Sequence, residues 1–81
     1  FASNPYTDQP GGTVIDNTPI YTGSVLHTYR VWNTTAALTL KVRVDGTLYQ
    51  IPHGCSADLE GRSIVADFDD TRGTAQYVRV E

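Results

Sequence analysis

Residues 36–51, AALTLKVRVDGTLYQI, alternate apolar and polar positions up to Asp45-Gly46 and alternate again beyond it. Two alternating runs joined by Asp-Gly predict a β-hairpin, because both residues tolerate the positive φ of a two-residue type I′ turn. That turn sets Val44 opposite Thr47, Val42 opposite Tyr49 and Leu40 opposite Ile51. Leu40, Val42, Val44, Tyr49 and Ile51 then share a core-facing side, while Thr39, Lys41, Arg43 and Gln50 share the other. The pattern places the chain in the all-β class and carries no chemistry.

The rest of the chain extends the same reading. Residues 13–16 and 20–24 read as short strands separated by a turn at Asn17-Thr18-Pro19, the second ended by Gly23. Residues 25–33, VLHTYRVWN, are rich in β-branched and aromatic residues without a breaker. Val25, His27, Tyr29 and Val31 fall on one face of that strand; Leu26, Thr28, Arg30 and Trp32 fall on the other. Pro52 ends the main hairpin, since proline cannot donate to a central ladder. In residues 56–68 an approximately helical spacing of Leu59, Ile64, Val65 and Phe68 competes with Gly61, which costs about 1 kcal/mol inside a helix. The segment therefore reads as strands over residues 57–60 and 63–68 around a Gly61-Arg62 turn. Residues 69–73 read as a loop, and residues 75–81 as a closing strand with Val78 and Val80 inward. Six to seven short strands with regular turn signals predict a small antiparallel β-sandwich, immunoglobulin-like or barrel-like. Asn4-Pro5, Gln9-Pro10 and Gly11-Gly12 predict an extended N-terminal arm over residues 1–12, ahead of one domain over residues 13–81.

Composition narrows the function classes. The chain has 81 residues and a formal charge of −3, enough for one modest core and no deep cleft. Arg30, Lys41, Arg43, Arg62, Arg72 and Arg79 are scattered, which argues against a nucleic-acid partner. No apolar run approaches the ~18 residues of a membrane span. Cys55 stands alone, so no disulfide can form within the chain. Without that staple, a small domain leans on its core or on a neighbour. The chain starts at Phe1 and holds no Met, which reads as a processed product or a fragment. Many Thr, five Tyr and one Lys suggest an extracellular, virion-surface or cell-surface setting.

Candidate chemistry is thin. His53-Gly54-Cys55 pairs a thiol with an imidazole, and Asp58 is the acid nearest in sequence. A nucleophilic cysteine needs a base and an orienting group together, and the more economical reading is a turn after Pro52. His27, His53 and Cys55 lack zinc-ligand spacing. Asp67, Asp69 and Asp70 ahead of Gly73 resemble a calcium loop, but no Glu closes it and Arg72 opposes a cation. The expectation is neither a metal nor a cofactor, and a solvated loop in which aspartates bond their own backbone. Asn33-Thr34-Thr35 is a sequon, read here as a turn. The aromatic residues are the stronger signal, because exposed Trp, Tyr and Arg anchor protein partners or stack on sugars. Trp32, Arg30 and Tyr29 on the second strand, with Phe1 and Tyr6 on the arm, are the candidate binding residues.

The run TLKVRVDGTLYQIPHG, with Tyr29-Arg30-Val31-Trp32 upstream, resembles the small streptomycete α-amylase inhibitors of the tendamistat type. The resemblance covers about half the chain and implies a secreted six-stranded β-sandwich. It departs in having one Cys where that family has two disulfides, and in lacking the family's Trp-Arg-Tyr triplet. Together the residues predict a non-enzymatic structural or binding module that works by association with a second copy or a neighbouring assembly subunit. The alternative is a secreted hydrolase inhibitor or a carbohydrate-binding module with a glycan partner.

Overall fold

A computed structural model of the protein describes residues 11–80. It is all-β, with strands β1 (Gly11–Ile15), β2 (Thr18–Asn33), β3 (Leu40–Val44), β4 (Thr47–Ile51), β5 (Ser56–Ala66) and β6 (Thr74–Arg79). They form one sheet in the order β1-β6-β2-β5-β3-β4, with every neighbouring pair antiparallel. The sheet curls into a half-barrel, and a second, facing sheet is not shown. Among the described residues there is no helix long and apolar enough to cross a membrane.

The predicted hairpin forms in the predicted register. Leu40 pairs with Ile51, Val42 with Tyr49 and Val44 with Thr47. Asp45 has φ 48° and Gly46 φ 88°, the left-handed values that the turn requires. Leu40, Val42, Val44 and Ile51 are buried as expected. Tyr49 is not: it is 46% exposed, because β4 is the last strand of the sheet and, among the described residues, no further strand pairs beyond it.

Two expected turns are bends inside long strands. Residues 20–24 and 25–33 belong to the single strand β2, and the Gly61-Arg62 position lies within β5. The reason is mutual. β2 pairs with β5 on both sides of the bend, from Thr18 to Thr22 and from His27 to Trp32, with register shifts between Pro19 and Tyr21 and between Thr22 and His27, where His27 faces Gly61. The irregularities lie side by side, so the strand pair bends as a unit and neither strand ends. A β-bulge bends a strand and tightens its twist. A Cβ on Gly61 would lie 2.7 Å from Val44 Cγ1, so the bend brings β3 too close for any larger residue.

The bend makes the core. The early half of β2 and the late half of β5 pair with each other, and β5 there meets β3. The late half of β2 pairs with the early half of β5 and with β6, which carries β1. Curling brings both ends around one cluster that includes Val14, Ile20, Val31, Leu40, Val42, Ile64, Phe68 and Ala75. Burying each large aliphatic or aromatic side chain there contributes about 1.5–3 kcal/mol. Val78 is buried, but it stands outside this cluster, across from Arg30 and so on the other face of the sheet, and Val80 is only partly buried. The β1–β2 turn is tied to the other end of the sheet. Asp16 Oδ1 accepts the Phe68 N–H at 2.9 Å, and the Asn17 N–H donates to the Ala66 carbonyl at 2.8 Å. Gly11 and Gly12, expected in the arm, already belong to β1 and pair with Val78 and Tyr77.

Candidate functional site

Arg30 and Trp32 project from the same face of β2, as alternation predicts. Arg30 lies across from Asp58 and Val78, and Trp32 across from Ser56 and Gln76. The Arg30 guanidinium grips Asp58 through two bonds, Nε–Oδ1 at 2.6 Å and Nη2–Oδ2 at 3.0 Å. Hydrogen bonding from Arg30, and secondarily its charge, holds the Asp58 carboxyl below its ordinary pKa against the opposing effect of burial. Both side chains stay largely in solvent, so the pair contributes no more than about 0–1 kcal/mol. Its larger effect is to hold the guanidinium in place beside the half-buried Trp32.

Tyr29 falls on the opposite face, with Val31, and packs against the core. Its ring stacks on Tyr21 at 5.3 Å and lies 6.1 Å from Tyr77; Tyr21 in turn meets His27 edge-on at 5.1 Å. The Tyr21 hydroxyl donates to the Val25 carbonyl at 2.6 Å, across the bend in β2. The five candidate residues therefore do not form one patch. Arg30 and Trp32 share a face, Tyr29 belongs to an aromatic run behind it, and Phe1 and Tyr6 lie outside the described residues.

Ile15 of β1 and Val25 and Leu26 at the bend of β2 are exposed apolar residues, and a further open surface is one that the hairpin pattern hides. Thr47, Leu48, Tyr49 and Gln50 of β4 are all exposed, with Leu48 at 43% and Tyr49 at 46%. Alternation predicts one buried face for this strand, and an edge position removes the cover from it. The hydrogen-bond directions of β4 follow from its neighbours. The Asp45 N–H donates to the Ser63 carbonyl at 2.8 Å, and Arg43 pairs with Val65, so the odd-numbered residues of β3 point toward β5. Leu40, Val42 and Val44 then bond β4 through Ile51, Tyr49 and Thr47. The N–H and C=O groups of Leu48 and Gln50 are left pointing out of the sheet.

The other candidates are held in different arrangements. The carboxylate of Asp67 bonds Arg43 at 2.9 Å, Asp69 approaches Lys41 at 3.5 Å, and Asp70 bonds Arg72 at 2.8 Å. Each acid of the supposed calcium loop thus has its own cation. His53 and Cys55 are both exposed in a turn whose Gly54 has φ 74°. Asp58, the acid that would orient them, is held by Arg30. Asn33 is the residue whose role the sequence did not signal. It is fully buried at the end of β2. Its Nδ2 donates to the Leu38 carbonyl at 2.7 Å and the Ile51 carbonyl at 2.9 Å, and its Oδ1 accepts the Thr35 N–H at 2.9 Å. The sequon nitrogen is therefore a structural donor that joins β2 to the end of β4.

Comparison of the chain with protein-family models, with curated proteins and with solved structures finds no match, so the likeness to the amylase inhibitors rests on the quoted residues alone.

Proposed function

We propose that this protein is a non-enzymatic structural or binding module that acts outside the cytoplasm by protein–protein association, as a virion, filament or cell-surface component. The observation that carries the reading is the open β4 edge. Exposed strand edges template pairing with another chain, and proteins that remain single blunt them with charge, proline, bulges or a covering segment. β4 has no charged residue or proline, keeps unbroken register with β3, and exposes Leu48 and Tyr49 to solvent. The Arg30–Trp32 face adds a second surface of a composition enriched at interfaces. The absence of an intrachain disulfide fits a domain that gains stability from neighbours. We read the curl as a small barrel-like sandwich in which β2 and β5 serve both layers.

The alternative is a monomeric hydrolase inhibitor or carbohydrate-binding module. The partly buried Tyr21, Tyr29 and Tyr77 favour it, since neighbouring aromatic rings that keep some exposure can stack on sugars. Light scattering of the full chain over a concentration series separates the two. Association predicts a mass that rises with concentration and falls when Trp32→Ala or Leu48→Lys is introduced. A chain that stays monomeric throughout, with melting unchanged by either substitution, overturns the proposal in favour of the alternative.

A further inference from the structure

We propose that the partner of the β4 edge is the β4 edge of a second copy, paired antiparallel about a two-fold axis at Tyr49. This rests on the association reading above and specifies its geometry. An antiparallel edge is its own complement when its outward-pointing groups are symmetric about one residue. Those of β4 are the N–H and C=O groups of Leu48 and Gln50, one on each side of Tyr49. Two copies related at Tyr49 set Leu48 against Gln50 of the second copy, and Gln50 against Leu48 of the second copy. Each of these pairs exchanges both N–H···O bonds. Tyr49 meets its own counterpart in the intervening non-hydrogen-bonded pair, where side chains lie closest. Pro52, which has no N–H, and the Asp45-Gly46 turn set the limits of this ladder at either end.

Local charge does not oppose this partner. The protein carries a net −3, so two copies repel at long range, yet Thr47, Leu48, Tyr49, Gln50 and Ile51 are all uncharged. No like-charge pair arises at any position of this register. A twofold β4–β4 pairing uses up that edge in both copies, so this contact by itself closes at a dimer; β1 is the other edge of the sheet and takes no part in it.

The closing experiment reads the register. In a Cys55→Ser background, which removes the exposed native thiol, Tyr49→Cys is introduced and the protein is oxidised. The non-hydrogen-bonded pair sets the two Cα atoms about 4.5 Å apart, within the ~4.4–6.8 Å that a disulfide spans. Tyr49→Cys is expected to give a covalent dimer that reduction returns to monomer. Leu48→Cys and Thr47→Cys in the same background are not, since neither residue faces its own counterpart. In the native sequence, Leu48→Lys and Gln50→Pro each halve the mass seen at high concentration. Gln50→Pro removes an N–H that β3 does not use, and an edge strand tolerates the fixed φ of proline. Association that survives both substitutions but is lost in Trp32→Ala, with no Tyr49→Cys dimer, overturns this pairing and leaves the broader association reading standing. A chain monomeric at every concentration overturns both.

Discussion

Asp45 and Ser63 bond each other twice: the Asp45 N–H donates to the Ser63 carbonyl at 2.8 Å, and the Asp45 carboxylate accepts the Ser63 N–H at 2.9 Å. The same carboxylate accepts the Arg62 N–H at 3.1 Å. The residue that opens the β3–β4 turn thus also secures β5 just past its bend at Gly61. Turn and curl are one feature, because the side chain of the first stabilises the backbone of the second.

That coupling gives the first prediction. Gly46→Val places a β-branched side chain at φ 88° and should cost more than ~1 kcal/mol in thermal or urea unfolding. Asp45→Ala leaves two amides of β5 to water and should cost about 0.5–1.5 kcal/mol for each bond lost. An unchanged melting curve in Gly46→Val would rule out the turn and the register built on it.

Gly61→Ala tests the bend itself. The added methyl would lie 2.7 Å from Val44 Cγ1 and 2.9 Å from Asp45 Oδ2, closer than real Cβ atoms approach. Overpacking of this kind costs about 1–3 kcal/mol. A neutral outcome would mean that β3 and β5 lie farther apart than the curled sheet requires.

The pleat of β3 is tested by neighbours in sequence. Val42 is fully buried and Lys41 reaches solvent, where it approaches Asp69 at 3.5 Å. Val42→Ala should cost about 1–3 kcal/mol, and Lys41→Ala should stay within ~0.5. The reverse ranking would mean the strand is read on the wrong face.

Asn33 should be among the least replaceable polar residues. Asn33→Ala strands two carbonyls and one N–H in or beside the core, and each orphaned buried group costs about 1–3 kcal/mol. Asn33→Asp should be worse at neutral pH, since a buried carboxylate faces two carbonyls with no proton to offer. Urea midpoints of the two variants measure this, and a midpoint equal to the native one in either would dismiss the role.

Acid titration isolates the Asp70–Arg72 contact. The Arg72 side chain and backbone N–H hydrogen-bond the Asp70 carboxylate, lowering its pKa from 3.8 to about 2. A carboxyl depressed in the folded state stabilises that state above its ordinary pKa and loses the contribution as pH falls through the folded value. The Asp70 contribution is therefore whole above about pH 4 and disappears on acidification toward pH 2. Carboxyl chemical shifts should show the low midpoint, and Arg72→Gln should raise it.

How much of this was legible from the residues alone can be traced element by element. The β3–β4 hairpin was, down to each cross-strand pair, because a two-residue turn and period-two alternation are local and leave one register that buries a face. The buried valines of β3 followed from the same arithmetic. Tyr49 did not, because burial depends on what lies beyond a strand, and only the sheet order makes β4 an edge. Gly23 and Gly61 read as strand ends for a related reason. A glycine in a strand permits either a turn or a bend, and the two become one continuous bend only when β2 and β5 are laid side by side. Arg30 and Trp32 share a face by alternation, yet the Asp58 that holds the guanidinium lies 28 residues away in sequence, beyond any local pattern. Asn33 is the sharpest case. Its type and neighbours spell a surface turn, and its amide becomes a buried donor because the chain returns the Ile51 carbonyl to it from β4. Local backbone preference was sufficient for the strands and the tight turn, while burial and long-range partners were decided by how the curled sheet brings distant strands together.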